Sequence, residues 1–160
     1  MNIRKANKED LPMLQCIYEK ARCYMRNHGN MNQWVNGYPS EALLTSDIEK
    51  DTLYVVEADG VVHACFVLAQ GPDPTYHYIN GNWLNDEDYY VIHRIASDGS
   101  IHGVLACALP FAESIASNIR IDTHNDNQTM QNQLIKNGFT YCGIIYLENG
   151  DPRFAYQKTF

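Results

Sequence analysis

The sequence predicts an α/β fold with a mixed, mostly antiparallel central sheet flanked by helices. Three stretches carry that expectation. Thr52 to Ala58 and Val61 to Ala69 are β-rich runs joined by Asp59-Gly60, a strong two-residue hairpin signal because both central positions of a type I′ turn need positive φ. Tyr89 to Phe139 reads strand, loop, helix, strand, loop, helix. Tyr141 to Leu147 and Phe154 to Lys158 read as a closing hairpin around Glu148-Asn149-Gly150-Asp151.

Taken in order, Ile3 to Ala6 suits a first strand. Asp10 is a candidate N-cap, and Pro12 falls in the first helical turn, where a missing N–H costs nothing. Leu14, Ile17, Tyr18, Ala21 and Met25 then share one helical face. Asn27 to Pro39 is polar and glycine-containing yet holds Trp34 and Tyr38; a loop with such aromatics is either pinned to the core or lines a cleft. Ser40 to Lys50 forms a second helix, with Leu44 and Ile48 four apart. Gln70 to Asp88 is too long and too aromatic for a plain turn, so a short strand is expected around Tyr76 to Asn80.

The stretch from Tyr89 organises the rest. Tyr89 to Ala96 is rich in aromatic and β-branched residues, and Ser97 to Ser100 breaks it with turn formers. Gly103 to Ser117 has apolar residues at three- and four-residue spacing, which predicts an amphipathic helix, and Pro110 should kink it or remove one backbone bond. Asn118 to Thr123 alternates as a strand. Asn125 to Asn127 offers N-cap oxygens to a helix from Gln128 to Asn137, and Gly138 supplies the left-handed residue that ends it. The two helix N-termini could face the same end of the sheet, where unpaired N–H groups and the helix dipole favour an anion.

The chain has 160 residues, 45% apolar and 19% charged, with a net charge of −7. That length suits one domain spanning residues 1 to 160. No run approaches the roughly twenty apolar residues of a helical span, and Met1 to Asp10 lacks an apolar signal core, so a cytoplasmic location is the default. The acidic balance argues against sequence-independent binding to nucleic acid or anionic lipid, and it leaves open a cationic substrate such as an amine. Five cysteines at wide spacing suggest free thiols, and the histidines show no metal spacing.

Two motifs lend the central stretch a family likeness. Ser100-Ile101-His102-Gly103-Val104-Leu105 matches a pyrophosphate-loop pattern, Arg/Gln-x-x-Gly-x-Gly/Ala, at Gly103. Asn127, Met130, Lys136, Gly138 and Phe139 follow an Asn-led helix ending in Lys-x-Gly-Phe. With the order of elements over nearly the whole chain, this resembles the GCN5-related N-acetyltransferase family. The resemblance implies acetyl-coenzyme A as co-substrate and direct transfer in a ternary complex. The backbones of Ile95, Ala96 and Ser97 would then hold the pantetheine arm. Pyrophosphate would meet the N–H groups of Ile101, His102, Gly103, Val104 and Leu105, with Leu105 expected to crowd it. Asn127, with Met130 beside it, would lie near the thiol end, although Asn127 also suits an ordinary N-cap.

His93 is the candidate base, two residues before the pantetheine segment, because imidazole titrates near neutral pH; a structural histidine is the alternative. Strand alternation puts Arg94 on the opposite face, where it is expected to pair with Asp122 or Glu57. Leu134 occupies the position where many family members have an acidic tyrosine, so Tyr141, Tyr146 and His124 become the candidates for that proton. Trp34, Tyr38 and Tyr78 are candidates for the acceptor side. The acceptor implied is a small-molecule primary amine, with a protein N-terminus or lysine as a lesser choice. A non-catalytic acyl-coenzyme A binding or sensing module is the rival reading. A thiol hydrolase using one cysteine and one histidine ranks below it, since no local nucleophile signature is present; Cys65 and Cys142 are the cysteines that could approach a cleft. An exposed edge strand or the final hairpin could support a homodimer.

Overall fold

The computed structural model describes residues 1–160. Eight strands form one sheet: β1 (Asn2–Lys5), β2 (Leu53–Ala58), β3 (Val61–Gln70), β4 (Asn80–Gly81), β5 (Tyr90–Ser97), β6 (Asn118–Thr123), β7 (Thr140–Tyr146) and β8 (Pro152–Thr159). Their order is β1-β2-β3-β5-β6-β8-β7-β4. Only β5 and β6 run parallel; every other neighbouring pair is antiparallel. The helices are α1 (Leu11–Asn27), α2 (Glu41–Glu49), α3 (Val104–Glu113) and α4 (Gln128–Lys136). None is long and apolar enough to cross a membrane.

The helices bury their apolar faces in two pairs, one pair on each side of the sheet. Leu14, Ile17 and Tyr18 of α1 and Leu44 and Ile48 of α2 pack on Leu53, Val55 and Val67. Leu105, Ala108 and Leu109 of α3 and Leu134 of α4 pack on Phe66, Ile92, Ile119 and Ile121 from the other side. A third cluster of Tyr76, Val91, Ile145 and Ala155 lies beneath the long loop between β3 and β5. The aromatics of that loop are therefore structural in large part: Trp83 and Tyr89 sandwich the Arg120 guanidinium at 4.1 and 4.0 Å.

Local signals were realised where they act locally. Asp59 and Gly60 have φ of 52° and 76°, the conformation the type I′ hairpin requires. Ser40 and Asn127 cap α2 and α4 through the N–H groups of Leu43 and Met130. Asp10 precedes α1 but gives no N-cap bond; its carboxylate instead binds Arg4 and accepts from the Asn7 N–H at 2.8 Å. The strand expected near Tyr76 is displaced to Asn80–Gly81, and Pro74–Tyr76 forms a single 3-10 turn. Helix α3 continues through Pro110 and stops at Glu113, short of Ser117.

The edge pairing of β4 with β7 depends on two glycines in register, Gly81 opposite Gly143, at φ of 139° and 144°. A Cβ on Gly143 would collide with the Asn80 carbonyl oxygen, which is backbone and has little freedom to move aside. Gly143→Ala should cost about 2 kcal/mol through this forced overlap. Thermal unfolding should register it as a fall of about 5 °C in Tm for a domain of this size; an unchanged Tm would show that the β4 edge carries no stability.

Candidate active site

The site begins with a defect in β5. Cys65 pairs with Ala96 and Val67 with His93, so Arg94 and Ile95 together stand opposite the single residue Phe66. This is a β-bulge, and Arg94 absorbs it at φ 49°. On its other edge β5 pairs with β6 only at Tyr90 and Val91, whereas β6 goes on pairing with β8 as far as Thr123. Beyond Val91 the two parallel strands diverge. The β6-facing edge of β5 is left without a strand partner, an edge onto which an extended ligand arm can pair.

Two cavities open on this split. One, of about 690 Å3, holds all ten residues expected to meet the cofactor. Ile95, Ala96 and Ser97 come from the end of β5, Ile101 to Leu105 from the loop and first turn of α3, and Asn127 and Met130 from the start of α4. Lys20 and Tyr24 of α1 close its side, Tyr24 reaching Thr129 with its hydroxyl at 3.3 Å from Oγ1. Helix α3 starts from Gly103 at φ 69° with no side-chain cap. Its first N–H groups are thus open to an anion. Leu105 does not crowd them: its side chain is turned into the core and only 3% exposed.

The second cavity, of about 490 Å3, lies on the other side of the split, and Met25, Ile95, Asn127 and Met130 line both. His93 faces this second cavity. Its Nε2 is 2.9 Å from Asp73 Oδ2. Burial alone would raise the Asp73 carboxyl, but hydrogen bonds from His93 and from the Thr75 hydroxyl and N–H hold it at about 2. An ionised carboxylate only accepts, so neutral His93 carries its proton on Nε2 and keeps a lone pair on Nδ1.

Arg94 borders the same cavity as His93, which overturns the expectation that alternation would separate them. The bulge rotates the chain by one residue, and the guanidinium reaches Asp47 on α2 at 2.7 and 3.0 Å and the Tyr38 hydroxyl at 3.2 Å. Neither expected partner is used, since Glu57 binds Arg4 and Asp122 accepts from the Tyr76 hydroxyl. Trp34 and Tyr38 both line the cavity, and both are pinned: Trp34 lies edge-on to Tyr18 at 5.5 Å, and its carbonyl accepts from Arg26. Asn127 is an N-cap that also donates to Gln33 Oε1 at 3.0 Å, tying α4 to the loop that carries Trp34.

Four other candidates, Tyr78, His124, Tyr141 and Tyr146, are not brought to either cavity. Strand β8 inserts between β6 and β7, which moves β7 outward from the split. Tyr141 on β7 is consequently half exposed and packs against Phe154 and Tyr156, while Tyr146 and Tyr78 meet each other at 6.3 Å on the surface. His124 spends its Nδ1 as acceptor for the Asp126 N–H at 3.0 Å. Cys65 is fully buried and its thiol pushed up to about 12 by desolvation, far from the reactive thiolate range. Two cavity residues that the sequence reading passed over are Asp73 and Arg153. Asp73 sits in an irregular loop, and Arg153 just ahead of the expected strand, so neither carries a local signal.

Acid stability follows from these environments. Burial, assisted by the Arg153 charge, holds His124 below the usual imidazole range. Between that depressed value and about 6.5 the unfolded chain binds more protons, so stability is complete above about 6.5 and declines as pH falls. Asp73 and Asp98 are both held at about 2, so their contribution is present above about 3.9 and lost only below it. Denaturant midpoints measured from pH 8 to pH 3 should begin to fall below about pH 6.5, and His124→Gln should flatten that first decline. A wild-type midpoint unchanged down to pH 5 would contradict the placement of His124.

A sheet split between two parallel strands, with a helix N-terminus on one side and a charged cavity on the other, gives the fold a free strand edge beside an anion-favouring helix end. No family model matches the sequence, and no curated protein matches it. Solved structures do. A GNAT-family acetyltransferase from Streptococcus agalactiae is 31% identical, covers 99% of this chain and 95% of its own, and superposes with a TM-score of 0.90. A GNAT-family acetyltransferase from Listeria monocytogenes is 19% identical, with 99% and 94% covered and a TM-score of 0.72. A ribosomal-protein-alanine N-acetyltransferase from Brucella melitensis is 17% identical, with 100% of both chains covered and a TM-score of 0.66. The chain belongs to the GCN5-related N-acetyltransferase (GNAT) family of acetyltransferases.

Proposed function

We propose that residues 1 to 160 form one catalytic domain that transfers the acetyl group of acetyl-coenzyme A to the primary amine of a small molecule, directly and within a ternary complex. The observation that carries this reading is the junction of the two cavities at Ile95, Asn127 and Met130, on either side of the parted strands. A thioester in one cavity would meet an amine in the other there.

In this reading the α3 N-terminus takes the pyrophosphate, with Lys20 on the opposite wall, and the free edge of β5 from Ile95 to Ser97 pairs with the pantetheine arm. A backbone N–H of that segment polarises the thioester carbonyl, which stabilises the oxyanion as it forms. His93 Nδ1, its tautomer held by Asp73, takes one proton from the acceptor ammonium. The freed nitrogen attacks the carbonyl carbon, the C–N bond forms, and the C–S bond breaks. The second proton of that nitrogen ends on the departing thiolate. Leu134, in the core and fully buried, cannot supply it. Tyr24 is the hydroxyl on the cofactor cavity wall suited to that role, hydrogen-bonded to Thr129 in the first turn of α4.

Calorimetric titration with acetyl-coenzyme A, and separately with adenosine diphosphate, tests the reading, followed by a panel of primary amines. Micromolar binding of the thioester, tighter than the nucleotide fragment, together with transfer to at least one amine is the expected result. Binding without transfer to any amine would turn the reading to a sensing module. No binding of either compound would overturn it.

A further inference from the structure

We propose that the acceptor carries a carboxylate beside its amine, as a free amino acid does, and that Arg153 receives that carboxylate. The proposal rests on the transferase reading above and names the substrate class of the same site. It starts from an imbalance among the arginines. Arg153 lies on β8, lines the acceptor cavity and is only 7% exposed. Its single hydrogen bond runs from Nη1 to the Pro152 carbonyl at 2.9 Å, and it forms no ion pair. Arg94 binds Asp47 through two nitrogens and Arg4 binds Asp10 and Glu57. Arg120 is equally buried and also lacks an anion, but it lies between two rings, donates to the Asn85 carbonyl and does not line this cavity.

A guanidinium has five donors in a planar fork that fits a carboxylate through two parallel bonds. Arg153 lines the cavity with only Nη1 hydrogen-bonded, so donors remain for an anion entering there, and pairing offsets part of the cost of enclosing the charge. Two carboxylates influence Arg153 through space, those of Asp122 and Asp151. Neither makes an ion pair with it: Asp122 Oδ1 accepts from Tyr76, and Asp151 Oδ2 accepts from Asn149 at 3.1 Å. Since Asp73 is matched by His93 and Asp47 by Arg94, the cavity offers one unmatched guanidinium and two carboxylates. That is the complement of a zwitterion, whose ammonium the acids attract and whose carboxylate the guanidinium binds. The whole-chain charge of −7 describes the surface; the cavity has its own pattern, and it is not that of a site for a simple cation.

The experiment compares acetyl transfer to the L-amino acids with transfer to their primary carboxamides, which keep the amine and side chain and lose the anion. For the preferred side chain the free acid should exceed its carboxamide by about 50-fold in kcat/KM, the size of a charge-assisted pair lost from a desolvated site. Arg153→Gln should remove most of that preference by raising KM for the acid while leaving the carboxamide within about 3-fold, and Arg153→Lys should restore part of it. The acid-to-carboxamide ratio needs only the wild type, so a variant that fails to fold leaves the test intact. Equal use of acids and carboxamides overturns the proposal and leaves the transferase reading standing. If no amine is acetylated, the transferase reading fails, and calorimetry of the amino acids in the presence of coenzyme A decides the matter for Arg153. Binding of an acid but not of its carboxamide then supports it, and no binding of any acid overturns it.

Discussion

His93→Ala should lower kcat for acetyl transfer by about 100-fold while leaving the affinity for acetyl-coenzyme A within about 2-fold, the size expected when a single general base is removed. The separation follows from where the ring lies. His93 borders the smaller cavity and not the larger one on the other side of the split. At neutral pH a primary amine is almost wholly protonated, so nucleophilic nitrogen exists only after a proton has left, and in the proposed mechanism the free Nδ1 of His93 takes it. Asp73 fixes which nitrogen that is, through the 2.9 Å hydrogen bond to Nε2.

The rival to this reading is that the Asp73–His93 pair merely anchors the loop between β3 and β5. Gln at position 93 separates the two. Its amide can still donate to Asp73, preserving the anchor, yet it has no basic nitrogen. His93→Gln should therefore keep the wild-type Tm and lose turnover as His93→Ala does. Asp73→Asn should retain more activity than either, because the imidazole survives while its tautomer is no longer enforced. Full kcat in a folded His93→Gln enzyme, with the acidic limb of its pH profile intact, would return the histidine to a structural role.

The comparison of sequence with structure divides along a physical line. What depends on a few adjacent residues was legible: the Asp59-Gly60 hairpin, the cap at Asn127, the α3 start at Gly103. The expected cofactor residues line one cavity because they come from β-α turns at the same end of parallel neighbours, a consequence of the β-α-β-α order itself. What depends on pairing between distant segments was not legible. The bulge at Arg94 exists only in register with β3, so strict alternation put the side chain on the wrong face. The insertion of β8 between β6 and β7 is a choice of sheet order, and it removed Tyr141 and Tyr146 from the site. Asp73 is brought to His93 by a turn whose conformation rests on Tyr89, whose hydroxyl accepts from the Asp73 N–H. No spacing in the sequence announces such a contact.

The second large effect is expected at Gly103. Here two causes, backbone strain and charge, can be separated by choosing the substituents. Gly103 has φ 69°, and an added Cβ would meet nothing nearer than Ala106 Cβ at 3.9 Å. A side chain is therefore permitted by space and disfavoured only by the left-handed backbone. Asn and Asp tolerate that conformation better than other residues and do so about equally, so Gly103→Asn and Gly103→Asp should have similar Tm values slightly below wild type. They differ in charge, and the charge would stand at the uncapped N-terminus of α3. A carboxylate there can occupy the open N–H groups itself and repels a pyrophosphate. Two like charges about 4 Å apart interact by about 4 kcal/mol at the effective dielectric of a protein surface, and partial screening still leaves about 100-fold in affinity. Calorimetric titration with acetyl-coenzyme A should thus find Gly103→Asn within about 5-fold of wild type and Gly103→Asp weaker by about 100-fold, a gap that narrows as salt is raised. Coenzyme A and dephospho-coenzyme A, which both keep the pyrophosphate and differ from each other only in the ribose phosphate, should show the same gap. If the two variants bind alike, the pyrophosphate does not sit at this helix, and the larger cavity holds its ligand in some other orientation.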